Sequence, residues 1–212
     1  MDSPVKPKEG IFISYRREGG STFAGILYYE LGKAFTAANI FKDVNSLKPG
    51  SNFKQDIDSA IANSSVQLVL IDRNWVELKN EDGERKIMAM DDFVRHEIKS
   101  ALDSDVEVIP VLFENGIMPK QKDLPEDIAK LCDKNAFTIH AEDVMRDIAG
   151  LIEHIRSKRR FRYEENTITG SYERLIKDPT GTIKKNWSQS VEIIKKDWGY
   201  LKSFFGKKKD GS

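Results

Sequence analysis

The chain has 212 residues, enough to bury one full core and leave an appendage, and its 39% hydrophobic and 32% charged content rules against disorder throughout. A net charge of zero hides an asymmetry: from Arg156 onward 15 Lys and Arg stand against 7 Asp and Glu, a surplus of eight that an equal acidic excess balances before it. The one cysteine, Cys132, excludes an intrachain disulfide and a Cys-rich metal site; with no apolar run of about 18 residues and no apolar core in the opening MDSPVKPKEG, a cytoplasmic protein is expected.

Residues 1–8 form a Pro/Lys-rich leader. Ile11 to Tyr15 (IFISY) is a short apolar run of strand type, and RREGGS after it reads as a loop. Ser21 is placed to cap a helix whose apolar positions Phe23, Ile26, Leu27, Leu31 and Phe35 repeat at helical spacing. Ile40 to Val44 (IFKDV) is a second strand, and NSLKPGSNF a loop turned by its Pro-Gly pair. Phe53, Ile57, Ala60 and Ile61 mark the next helix. Val66 to Ile71 (VQLVLI), almost wholly apolar, suits a central parallel strand covered on both faces. Asp91 is placed to cap a helix carrying Val94, Ile98, Ala101 and Leu102. Val106 to Phe113 and Ala136 to Ile139 supply two further strands, and Val144, Ile148, Leu151, Ile152 and Ile155 line a closing helix.

Strands alternating with helices predict an α/β fold: a flavodoxin-like five-stranded parallel sheet with helices on both faces. Ligands of such sheets sit beyond the carboxyl ends of the strands. The loops after Tyr15, Val44 and Ile71 and the start of the helix at Asp91 therefore converge on the expected site.

The C-terminal quarter reads differently. A basic cluster from Arg156 to Arg162 ends the closing helix, where the helix dipole favours it. Residues 157–185, with Gly170, Pro179 and Gly181, form a basic linker. In 186–206, Trp187, Val191, Ile194, Trp198, Leu201 and Phe205 alternate spacings of four and three, the mark of an amphipathic helix, and 207–212 are a basic tail. That helix has three open arrangements: docking or self-association, contact with an anionic membrane that makes the protein peripheral to it, or connection to a further domain. The basic surplus suits nucleic acid, anionic lipid or the protein's own acidic body, and equally a solvated tail; no motif points to a specific nucleic acid.

On a wheel of 100° per residue, Phe93, Glu97, Ala101, Val94, Ile98 and Leu102 occupy one half, while Arg95, His96, Lys99 and Ser100 occupy the other. Glu97 thus lies inside an apolar stripe. A carboxylate there must be paired, hydrogen-bonded or employed in chemistry. The alternative is a rim position, reaching solvent or pairing with Arg16 or Arg17. No GxGxxG or Walker pattern occurs, and His96, His140 and His154 are dispersed, so neither a dinucleotide fingerprint, a P-loop, a metal site nor a Ser-His-Asp triad has support.

Five strings in succession, FISYRRE (12–18), FKDVNSLKPGSNF (41–53), VLIDRNW (69–75), DDFVRHEI (91–98) and VIPVLF (108–113), resemble the TIR (Toll/interleukin-1 receptor) family, and 9–156 is the expected TIR domain. The style is similar to bacterial members and to the animal axon-degeneration enzyme, which implies NAD+ as substrate, no cofactor, activation by TIR–TIR self-association, and a role in antiphage signalling. The resemblance makes Glu97 the catalytic residue, in an aromatic-x-x-x-Glu motif whose aromatic is Phe93. Loss of nicotinamide leaves an oxocarbenium-like ribose that one carboxylate can stabilise. Water then gives ADP-ribose, and an internal nucleophile a cyclic product. Ser14, Tyr15, Arg16 and Arg17 end the first strand at the predicted ligand edge, where a guanidinium suits a pyrophosphate; a solvated loop charge is the alternative for each arginine. Asp43 takes a hydroxyl or anchors the next loop. The resemblance makes Leu47, Lys48, Pro49, Gly50 and Phe53 the covering loop, and Trp75 either stacks on a base or packs as core or lid. The rival function is a non-catalytic TIR–TIR interaction module in which Glu97 is structural.

Overall fold

The computed structural model describes residues 10–35, 39–42 and 53–157, the Phe53 side chain excepted. The leader, residues 43–52, and the linker, amphipathic helix and tail expected beyond 157 lie outside the described residues. The elements run β1 (Gly10–Ser14), α1 (Arg17–Ala34), β2 (Ile40–Lys42), α2 (Phe53–Ala62), β3 (Ser64–Ile71), α3 (Phe93–Leu102), β4 (Glu107–Leu112), β5 (Phe137–Thr138) and α4 (Val144–Ser157). The strand order is β2-β1-β3-β4-β5 with every pairing parallel, the flavodoxin-like arrangement.

All five residues of β1 and all eight of β3 are buried, as their near-continuous apolar runs require of strands covered on both sides. The pleat then sorts them. Ile11, Ile13, Val66, Leu68 and Leu70 face Leu27 and Leu31 of α1 and Leu151 and Ile155 of α4. Phe12, Val69 and Ile71 face Ile57 and Ile61 of α2 and Val94, Ile98 and Ala101 of α3. Two helices thus cover each face.

Several boundaries depart from expectation for identifiable reasons. RREGGS is not a loop: α1 begins at Arg17 and takes both glycines into its first turns. A Cβ at Gly19 would stand 1.9 Å from Asp72 Oδ2, and one at Gly20 would stand 3.1 Å from Tyr15 Cβ. The glycines therefore serve close approach of the helix start to the sheet edge, despite a cost of up to about 1 kcal/mol each within a helix. Ser21 is accordingly not the cap; its hydroxyl donates to the Arg17 carbonyl at 2.7 Å. The cap of α3 is Asp92 and not Asp91, its carboxylate accepting the Arg95 N–H at 2.7 Å. β3 starts at Ser64, before the apolar run. β4 and β5 each stop one residue short of their expected span at both ends.

Two short 3₁₀ segments, Gln121–Asp123 and Glu126–Asp133, fill the connection from β4 to β5. The second inserts Ile128 and Leu131 into the α2/α3 side of the core and covers α3. That cover buries Arg95, which the wheel assigns to the solvent side; its guanidinium pairs with Asp127 at 3.1 Å and donates to the Met88 carbonyl at 2.7 Å. No helix of the described residues is long and apolar enough to cross a membrane.

Candidate active site

The site is built where β1 and β3 end side by side, the point at which the strand order reverses. Ser14 is the last residue of β1 and, by alternation with Phe12, faces the α2/α3 layer. Tyr15 takes the opposite side, packing half-buried against the α1/α4 core. Two adjacent residues expected at one substrate edge are thus divided by the pleat.

Ser14 meets Glu97. The carboxylate projects from the second turn of α3 and is 8% exposed, and the Ser14 hydroxyl donates to its Oε2 at 2.6 Å. Gln67, buried in β3 on the same face as Val69 and Ile71, donates from Nε2 to Ser14 Oγ at 2.7 Å. Its own Oε1 is buried without a hydrogen-bond partner among the described residues. Sequence reading passes over Gln67; the one available signal is a lone polar residue in an apolar strand run.

Arg16 does not reach Glu97. Its Nη1 and Nη2 clasp the two carboxylate oxygens of Asp92, the second at 3.0 Å, in a pair with both side chains more than nine-tenths buried. Since Asp92 also caps α3, this fork ties the end of β1 to the start of the helix that carries Glu97. The terminal nitrogens expected to grip a pyrophosphate are therefore committed within the protein. Arg17, the first residue of α1, is exposed.

Trp75 is 1% exposed, packed in the α2/α3 core with Arg16 over its ring at 5.6 Å. Its ring is an interior wall, not an open stacking surface for a base, in keeping with the packing alternative. Arg16 Nε and Trp75 Nε1 are both buried without hydrogen-bond partners among the described residues. Both residues line a hollow of about 270 Å³, counted to its open mouth, together with Glu18, Gly19, Asp72, Asn74 and Leu78. Burial works to raise the Glu18 pKa, but the Lys86 ammonium bonded to it prevails, and the carboxyl sits below its ordinary value.

Phe93 opens α3 and is 49% exposed. Met88 and Met90 beside it in sequence are exposed as well, Met90 at 81%, so an apolar rim borders the helix start. Asp43 and Leu47, with Lys48, Pro49 and Gly50, lie outside the described residues; Phe53 begins α2, and its side chain is likewise outside them. Of the expected set, Ser14 and Glu97 touch, Arg16 and Trp75 stack nearby, and Tyr15 points away.

The remaining titratable groups have other roles. His96 contacts Asp58 at 3.0 Å across α2 and α3, and His140 contacts Asp147 at 2.8 Å. Among the described residues no group of three His, Cys, Asp or Glu side chains is arranged to hold a metal. Burial, reinforced by Asp133 and Asp123, pushes the Cys132 thiol up, which makes it a poor nucleophile. Glu114, in the left-handed region at φ 48°, is also pushed up, first by burial and then by the Asp72 carboxylate, with Arg73 opposing.

A family model described as "TIR domain" matches residues 11–144. The NAD(+) hydrolase SARM1 of Danio rerio is 29% identical over 127 residues, 60% of this chain and 16% of that protein. The Drosophila melanogaster NAD(+) hydrolase sarm1 is 29% identical over 128 residues, 59% of this chain and 9% of that protein. The matched region is thus a small part of either relative. Among solved structures, the TIR domains of the activated Roq1 resistosome that recognises the pathogen effector XopQ align with a TM-score of 0.54 at 17% identity, over 69% of this chain and 99% of that one.

Proposed function

The chain belongs to the TIR domain family, and from that premise we propose that it cleaves NAD+ at the nicotinamide–ribose bond with Glu97 as the catalytic carboxylate. The observation that carries this reading is the placement of Glu97: a nearly buried carboxylate at the β1/β3 switch point, receiving the Ser14 hydroxyl, on a helix whose start is fixed by Asp92. Resemblance in sequence to two proteins named NAD(+) hydrolases supports it.

The chemistry follows from the leaving group. Nicotinamide departs as a neutral pyridine, so no acid is needed to protonate it. What rises in the transition state is positive charge on the ribose, and a fixed carboxylate stabilises it most where water is scarce. Glu97 accepts from the ribose hydroxyls and opposes that charge. Phe93 supplies an apolar platform at the mouth, and Asp43 and Leu47 are further substrate contacts in this reading. Attack by water gives ADP-ribose, and attack by the substrate's own adenine or ribose gives a cyclic product. TIR–TIR self-association assembles the active form, and antiphage signalling is the role we favour.

Purified chain incubated with NAD+, dilute and under crowding that favours self-association, is expected to release nicotinamide and an ADP-ribose species identified by mass spectrometry. Release by Glu97→Ala equal to that of the unmodified chain would leave a TIR interaction module as the surviving function.

A further inference from the structure

We propose that Gln67 is a positioning residue for Glu97, acting through Ser14; this rests on the reading of Glu97 as the catalytic carboxylate. β3 is the central strand, buried at all eight positions, and its interior run is otherwise Val, Leu and Ile. A glutamine there is out of keeping with a strand covered on both faces. It also leaves Oε1 buried with no donor among the described residues, a defect that destabilises the fold. An apolar side chain of the same length would remove that cost, so packing gives no reason for the amide.

Its other end gives the reason. Phe12 is the register partner of Gln67 and Ser14 that of Val69, so Gln67 lies diagonally across the ladder from Ser14 on the same face. Nε2 donates to Ser14 Oγ at 2.7 Å, and Ser14 donates onward to Glu97 Oε2 at 2.6 Å. An amide nitrogen can only donate. With Gln67 on one side of the hydroxyl oxygen, the serine proton is directed toward Glu97, and the polarised O–H becomes a better donor to the carboxylate. The relay Gln67 to Ser14 to Glu97 therefore keeps a donor aimed at Oε2 and fixes the orientation in which the carboxylate meets a cationic ribose. Every member is anchored on β1, β3 or α3, so the arrangement is preorganised without substrate.

Three variants of the full chain test this under conditions where the native chain releases nicotinamide. Gln67→Met keeps length and flexibility but removes the donor; kcat is expected to fall about tenfold with KM unchanged, while the melting temperature holds or rises because the orphaned oxygen is gone. Gln67→Glu puts a side chain that accepts when ionised where the donor stood, turns the Ser14 proton away from Glu97, and is expected to lower kcat further. In a Ser14→Ala background, Gln67→Met should have no additional effect on kcat, because the two act through one hydroxyl. Native kcat in Gln67→Met, or an equal loss with and without Ser14, would overturn the role.

An arm independent of turnover separates this proposal from the functional reading. The Gln67 side-chain amide resonances should move on Ser14→Ala, and their failure to move removes the relay even if Glu97 proves catalytic. If the amide responds but native chain and Glu97→Ala release nicotinamide equally in every condition, the functional reading fails and the positioning role goes with it.

Discussion

The two faces of the sheet are built to different standards. The α1/α4 face is closed by aliphatic contacts, Ile11, Ile13, Leu68 and Leu70 against Leu27, Leu31, Leu151 and Ile155, and Phe23 stacks on Phe113 with ring centroids 4.6 Å apart. The α2/α3 face holds a comparable apolar cluster but admits Ser14, Arg16, Asp92 and Glu97 toward its carboxyl-end rim and Gln67 within β3. Two of those polar residues, Arg16 and Gln67, carry an unpaired buried atom. A sheet needs only the first kind of face to fold. The second accepts desolvated polar groups at a local cost in stability, which makes it the face on which chemistry is expected.

The largest effect on stability is expected from breaking the buried fork on the polar face. Asp92→Ala strands the Arg16 guanidinium and uncaps α3, and should destabilise the chain by about 3–5 kcal/mol in chemical denaturation while also displacing Glu97 and lowering NAD+ cleavage. Leu27→Ala on the apolar face opens a cavity in a residue with no exposure and should cost about 3 kcal/mol. The contrast lies in activity: Leu27→Ala below its melting temperature should retain the native rate, whereas Asp92→Ala should not. Equal activity losses in the two would erase the distinction between the faces.

The smallest effect is expected at the rim, where Glu114 stands near Asp72. Its folded pKa lies above the ordinary value, so its contribution to stability is fully present below the unfolded pKa and is lost as pH rises through the folded one. Glu114→Gln should therefore raise the melting temperature slightly near neutral pH. That gain should fade as the pH falls through the carboxylate range, and a gain of the same size at acid pH would rule out the electrostatic cause.

Much of this contrast is legible in the sequence, because periodicity reports burial. The apolar runs of β1 and β3 and the stripe of α3 locate the sheet and place Glu97 inside it. What the sequence hides are the contacts set by register and close approach. Asp91 and Asp92 are both chemically suitable caps, and only the geometry of the helix start selects Asp92, which then occupies Arg16 and withdraws it from the expected substrate grip. The glycine pair of RREGGS has the composition of a loop, yet its reason is contact with Asp72 and Tyr15, residues beyond its own stretch of chain. Tyr15 follows Ser14 directly, but the pleat turns it to the other core. Gln67 is one letter in an apolar run, and its role depends on a strand partner more than fifty positions away.

The central claim is that Glu97 does chemistry and does not merely complete a buried network. Nicotinamide release from NAD+, measured for the native chain and for Glu97→Gln at matched folded fraction under self-associating conditions, tests it most directly. Glu97→Gln keeps the size of the side chain and an acceptor for Ser14, so it should fold as well as the native chain and lose about three orders of magnitude in rate, roughly 4 kcal/mol of transition-state stabilisation. Release at the native rate by a folded Glu97→Gln chain would contradict it.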